Sequence, residues 1–264
     1  MGSFVDRYGP WAVVAGASEG LGEAFADGLA ARGCHLVLLA RRPDALDRVR
    51  ARLEATYGVS VRAVPCDLAD PSFVEALAAA TADVEVGVAV YDAAASFTGP
   101  LLDRPVADAL RVVDVNVRGP LLLVHALVPA MVRRGRGGLV LMSSLVGIVG
   151  SPNLAAYASS KAFTTALGQS LWSELGPRGV DVVVSVAGAI RTPNYRAASK
   201  RDAPGTQDPA AVVAQALDGL GRGPVVVPRW VPRLAALLVG RLLPRRAALA
   251  VFAVSTADAL EGLS

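Results

Sequence analysis

Short unbroken apolar runs alternate along the chain with longer stretches in which apolar residues recur every three or four positions. Runs such as HLVLLA, GLVLMSS and VDVVVSVAG carry no polar alternation, so both faces of the strands they form are expected to be covered, as in a parallel sheet between helical layers. Strands are predicted at Trp11–Ala15, His35–Ala40, Val59–Cys66, Val86–Tyr91, Gly138–Ser143, Val180–Ala187 and Val225–Pro228. Helical periodicity fills the intervals at 20–32, 43–57, 71–80, 105–133, 155–175 and 208–221. This alternation predicts an α/β fold, a doubly wound parallel sheet of about seven strands with helices on both faces. No repeat or linker divides it, so residues 1–264 are read as one domain. The polar stretch 196–209, RAASKRDAPGTQDP, is expected to be an irregular loop.

The first strand runs into GASEGLG, where Gly16, Gly20 and Gly22 precede an apolar-periodic helix. Glycines there allow a sharp turn and close approach to a pyrophosphate seated on the helix's positive end, the signature of a Rossmann fold. The second strand ends in LLARRPDAL, so no carboxylate stands where an NAD ribose is usually held, and Arg41 and Arg42 follow instead. Guanidinium matches a 2′-phosphate, so NADP is expected over NAD, with Glu19 a mildly opposing charge. Asp67, in PCDLAD, is placed either to accept from an adenine amino group or to make an Asx turn before Pro71. In YASSK, Tyr157 and Lys161 stand four apart and share a helix face.

Composition narrows the classes. A net charge of +3 without a basic run gives no support to nucleic-acid binding. Two cysteines, Cys34 and Cys66, and two histidines, His35 and His125, lack metal-ligand spacing, so no metal is expected. The N-terminus lacks a basic region followed by a long apolar run, and a cytoplasmic protein is the default expectation.

GASEGLG, CDL, VNVRGP, LMSSLVGIVGSPNLAAYASSK and VAGAIRTP, in this order and spacing up to about residue 195, resemble the classical short-chain dehydrogenase/reductases. The resemblance implies hydride transfer between a nicotinamide and a carbonyl or secondary alcohol, with Tyr157 exchanging the proton and Lys161 lowering its pKa and reaching the nicotinamide ribose. It implies that Ser144, thirteen residues before Tyr157, orients the carbonyl oxygen. Strand alternation alone leaves Ser143 and Ser144 unseparated. It implies that Asn116 holds a water linking the lysine to solvent, against a plain structural role for a buried amide. Thr192, helped by the backbone of Ile190, matches the residue that bonds the carboxamide. Ser18, Leu21, Leu68, Asp92, Ala93, Ala94 and Gly188 complete the implied cofactor contacts. Two departures stand out: Asp92 replaces an amide in YDAA, and Ala187 replaces the proline usual before Gly188.

Segments 94–104, 145–155 and 189–206 are expected to line the substrate cleft, the last as a lid. Leu145, Val146, Ile148, Val149 and Leu154 make an apolar ketone or alcohol the expected guest. Arg191, Arg196, Lys200 and Arg201 invite a coenzyme A or carrier-protein thioester, although a solvated loop face is preferred. The apolar, arginine-studded extension 229–264, with a helix drawn over 232–242, is expected to cap the cleft or pack between subunits in preference to lying on a membrane with Trp230 at the headgroups. A homodimer or homotetramer is expected. The competing readings are a cofactor-binding regulatory or scaffold protein, and a non-redox dehydratase or isomerase of the same fold.

Overall fold

The computed structural model describes residues 2–198, 202, 205–228 and 230–250. Seven parallel strands, β1 (Trp11–Ala15), β2 (His35–Ala40), β3 (Val61–Pro65), β4 (Val86–Tyr91), β5 (Gly137–Ser144), β6 (Val180–Ala187) and β7 (Val225–Val226), form one sheet in the order β3-β2-β1-β4-β5-β6-β7. The order reverses beside β1, and the crevice there opens at the strands' carboxyl ends, where such sheets take ligands.

The apolar runs behave as their lack of alternation requires. In β2, Leu36 and Leu38 join one core layer and Val37 and Leu39 the other; in β5, Val140 and Met142 oppose Leu139 and Leu141 in the same way. The first layer packs α2 (Gly20–Ala30), α3 (Pro43–Tyr57) and α9 (Pro209–Gly219), with Phe25, Leu46 and Val212 buried. The second packs α4 (Phe73–Thr81), α6 (Gly119–Arg134) and α7 (Ala155–Leu175), with Phe73, Leu123 and Met131 buried.

Several boundaries differ from expectation. The third strand is shorter than Val59–Cys66, because Ser60 turns its N–H to the His35 Nδ1, 3.0 Å away. The helix expected over 105–133 is interrupted: α5 (Val106–Val113) passes through a π-turn, Asp114–Arg118, into α6. Pro120 lacks the N–H that would bond the Asn116 carbonyl, and the Tyr91 hydroxyl donates to the Val115 carbonyl. Tyr91 also fills the space a side chain at Gly119 would need. A short α1 (Phe4–Tyr8), capped by Ser3 and Asp6, was not expected. The segment read as irregular from 196 is instead entered by α8 (Pro193–Ala198), with Pro193 at its first position. The rest of the expected lid lies partly outside the described residues.

In the C-terminal extension, α10 (Trp230–Leu237) runs into a π-turn, Leu238–Leu242, and residues 245–250 are helical. This arm lies over the loops that follow β5 and β6. Arg245 donates to the Ile148 carbonyl at 3.3 Å, Leu249 packs over Gly150, and Pro232 over Gly188. The position of the Trp230 side chain and residues 251–264 lie outside the described residues. Among the described residues one helical stretch, 106–134, is long and apolar enough to cross a membrane, and its Leu123, Leu127 and Met131 are core residues.

Candidate active site

Three glycines shape the crevice floor. Gly16 adopts φ +99°, backed by the Ala93 backbone, and Gly20 adopts φ +62° against the Thr192 side chain. A Cβ on Gly22 would strike the Gly16 carbonyl and come 3.1 Å from Asp92 Oδ2. The loop is therefore a cradle that side chains would fill, at the positive end of α2, which fits a dinucleotide pyrophosphate. Leu21 is buried behind it, and Thr192 closes the cradle from the β6 side.

The two arginines diverge. Arg42 pairs with Glu19 at 2.7 Å and lies 3.4 Å from the Ser18 hydroxyl, so the acidic residue that opposed a phosphate is itself neutralised. Ser18, Glu19, Arg42, Ala45 and Arg48 line a cleft of about 300 Å³. Arg41 instead acts on Asp67. Both Asp67 oxygens accept from Arg111, each at 2.8 Å, and Oδ1 also accepts from the Ala69 N–H at 3.0 Å. The Asx turn is thus formed, and an adenine amino group would share this carboxylate with Arg111. Burial raises the Asp67 carboxyl, but Arg111, the Ala69 N–H and Arg41 together hold it below the usual range. Leu68 beside it is buried.

Ser144, Tyr157 and Lys161 come together from β5 and α7. The Ser144 hydroxyl hydrogen-bonds the Tyr157 phenol. The Lys161 ammonium donates to the Met142 carbonyl at 2.9 Å and lies 5.5 Å from the centre of the Tyr157 ring. Ser143 points away, donating at 2.8 Å to the Lys161 carbonyl and lying 2.7 Å from the Thr165 hydroxyl. Strand alternation separates the two serines as soon as α7 is in place. Burial pushes the Lys161 ammonium down to about 8, opposed by Asp92. Burial first, then the Asp92 charge, push the Tyr157 phenol up to about 12, with Ser144 pulling it down.

Asn116, buried at the π-turn, is fully used. Its Oδ1 accepts from the Ala95 N–H at 2.8 Å, and its Nδ2 donates to the Ala95 carbonyl and the Ser160 hydroxyl, both at 2.9 Å. Ser160 in turn donates to the Tyr157 carbonyl at 2.7 Å. The amide therefore braces the loop after β4 against the helix that carries Tyr157, and its side chain makes no bond to Lys161. Ala93 and Ala94 form that loop. Ala187 is the last residue of β6, paired opposite Ser144, so the strand continues where a proline would remove an N–H. Gly188 follows, under Pro232, and Ile190 bridges to Gln207.

Sequence reasoning missed Ser160, Arg111 and the Glu19–Arg42 pair. Ser160 sits inside YASSK, where its spacing three after Tyr157 was the available signal. Arg111 gave none, since its contact with Asp67 spans 44 residues.

The family model for short chain dehydrogenases matches residues 10–203. A 7beta-hydroxysteroid dehydrogenase of Collinsella aerofaciens is 32% identical over 189 residues, 72% of each chain. A solved 7beta-hydroxysteroid dehydrogenase superposes with a TM-score of 0.88 at 26% identity, covering 95% of this chain and 99% of its own. A very-long-chain 3-oxoacyl-CoA reductase of Laccaria bicolor is 36% identical over 68% of this chain, which spans only 54% of that relative's length. A short-chain dehydrogenase from Sphingobium yanoikuyae, solved in complex with NADPH, superposes with a TM-score of 0.78 at 31% identity, covering 86% of this chain and 92% of its own. The chain belongs to the short-chain dehydrogenase/reductase family.

Proposed function

We propose that this protein is an NADP(H)-dependent oxidoreductase that interconverts a carbonyl and a secondary alcohol on a largely apolar substrate. The observation that carries the reading is the cluster of Ser144, Tyr157 and Lys161, brought together from β5 and α7. When bound, the nicotinamide supplies or accepts the hydride. Tyr157, held as a neutral phenol, donates the proton to the developing alkoxide. Ser144 orients the carbonyl oxygen and stabilises charge growing on it. Lys161, fixed one turn along α7, would hold the nicotinamide ribose and keeps positive charge beside the phenol. Asn116 and Ser160 position α7 against the crevice.

The cleft beside Ser18 and Arg42, together with the NADPH complex of the Sphingobium relative, supports the 2′-phosphate preference. Steroid and acyl-CoA relatives, and the apolar loop 145–149 beneath the arm, support an apolar ketone. Arg191 is held by Asp202 at 2.7 Å, which favours the solvated-loop reading of the 191–201 charges over attraction of an acidic carrier. Exposed Leu102, Val106, Leu110 and Val113 along 102–113 support a homo-oligomer, which sedimentation velocity measures directly.

The test is NADPH absorbance with steroid, 3-oxoacyl-CoA and bulky aryl ketones. Tyr157→Phe is expected to lower kcat by about 10²–10⁴-fold with the Kd for NADPH within about twofold. Retention of most activity removes Tyr157 from the proton path.

A further inference from the structure

Asp92 directly follows β4, at a place that brings it to Lys161. Tyr91 pairs with Leu141 at the end of β4, which brings the next residues, Asp92 and Met142, side by side. The Met142 carbonyl is the acceptor of the Lys161 ammonium. From the opposite side the Gly22 N–H, in the first turn of α2, donates to the Asp92 carboxylate, whose Oδ2 would lie 3.1 Å from a Cβ on Gly22. The Asp92 N–H is spent on the Ala15 carbonyl at 3.0 Å. The charged and titratable groups facing this carboxylate are Lys161 and Tyr157, both from α7; α2 offers only the Gly22 N–H, and β1 only backbone.

We propose that Asp92 is a positioning residue for the proton-donating pair: its carboxylate, anchored by the glycine loop, is the counter-ion that keeps Lys161 an ammonium and Tyr157 a neutral phenol. An asparagine, the residue the family motif would have here, keeps the acceptor for Gly22 but carries no charge. The substitution therefore changes the electrostatics of the site and not its shape. Burial pushes the Asp92 carboxyl up to about 7 against the pull of Lys161 and the Gly22 N–H, and pushes Lys161 down to about 8 against the pull of Asp92. Carbonyl reduction requires both the ammonium and the neutral phenol, and an ionised Asp92 favours both. The proposal deepens the reading of Tyr157 and Lys161 as the proton relay, and rests on it for the kinetic consequence only.

The chain has just two lysines, Lys161 and Lys200, so lysine side-chain NMR reads the site directly. In a Lys200→Arg background, protein labelled with carbon-13 at lysine Cε gives one signal, whose pH midpoint is that of Lys161. Asp92→Asn is expected to lower this midpoint by about one pH unit or more. The basic limb of ketone reduction is expected to move to lower pH by a similar amount, because loss of the anion lowers the lysine and tyrosine pKa values alike. A midpoint that stays in place or rises overturns the proposal, whatever the activity. A lowered midpoint in a protein that reduces no ketone upholds the counter-ion and refutes the redox reading instead. Should the Asn variant unfold within the titration, Asp92→Ser carries the same measurement with the same two outcomes.

Discussion

Arg41 and Arg42 are adjacent in sequence, yet one acts on Asp67 and the other is drawn to Glu19 and Ser18. The charge-assisted hydrogen bond that a guanidinium gives a phosphate is worth about 1.5–3 kcal/mol, or roughly 10–150-fold in affinity. Arg42→Ala is therefore expected to weaken NADPH by that factor and NADH by less than about threefold, measured by fluorescence titration. Equal losses for both cofactors would remove the 2′-phosphate from this cleft. Arg41→Ala is expected to act in the same direction, since it withdraws positive charge from the adenosine end of the crevice. That arginines stand where an acid is usual was legible from Ala40, Arg41 and Arg42. That Arg42 pairs with Glu19 was not, because the partner is supplied by another loop. The serine pair behaves alike: alternation said that one of Ser143 and Ser144 enters the site, and only the packing of α7 says which.

At the scale of elements, periodicity located β2, β4, β6, α3 and α7 to the residue, because each is bounded by glycine, proline or a polar turn. It merged α5 and α6 into one helix, since a π-turn leaves the apolar stripe nearly continuous and only Pro120 betrays the break. The turn matters for the site. Asn116→Ala would leave the Ala95 N–H and carbonyl and the Ser160 hydroxyl without their partner. Unfolding stability is expected to fall by about 1–3 kcal/mol, several degrees in Tm by thermal denaturation. A larger fractional loss in kcat than in cofactor affinity is expected with it, because the brace acts on the helix carrying Tyr157. The short α1 and α8 escaped notice because helices of five and six residues show too little of a period to be seen.

For the molecule as a whole, the arm lies on the loops that follow β5 and β6. Its inner side touches Ile148, Gly150 and Gly188, and its outer side leaves Leu234, Leu237 and Leu242 exposed. A chain ending at residue 228 is expected to bind NADPH within about twofold of the full chain and to show a KM for an apolar ketone raised about tenfold, the loss of apolar burial over one end of the substrate. Equal pelleting of both chains with anionic liposomes is expected; pelleting of the full chain alone would move the arm from the cleft to a lipid surface. The arm was legible as a departure expected to cap the cleft or pack between subunits, but its particular contacts with residues 148–188 were not, because they join segments far apart in sequence.

The N-terminal helix holds the molecule together across that same distance. Arg7 pairs with Asp181 at 2.7 Å, the Tyr8 hydroxyl donates to the same carboxylate at 2.9 Å, and the Tyr8 carbonyl presses on Gly87. On a ribosome, β1 and β2 emerge early, but this clasp has no partner until β6 has been made, more than 170 residues after Tyr8. The clasp on Asp181 is thus among the last contacts of the first helix to form. A contact of such sequence separation is expected to form late and slowly.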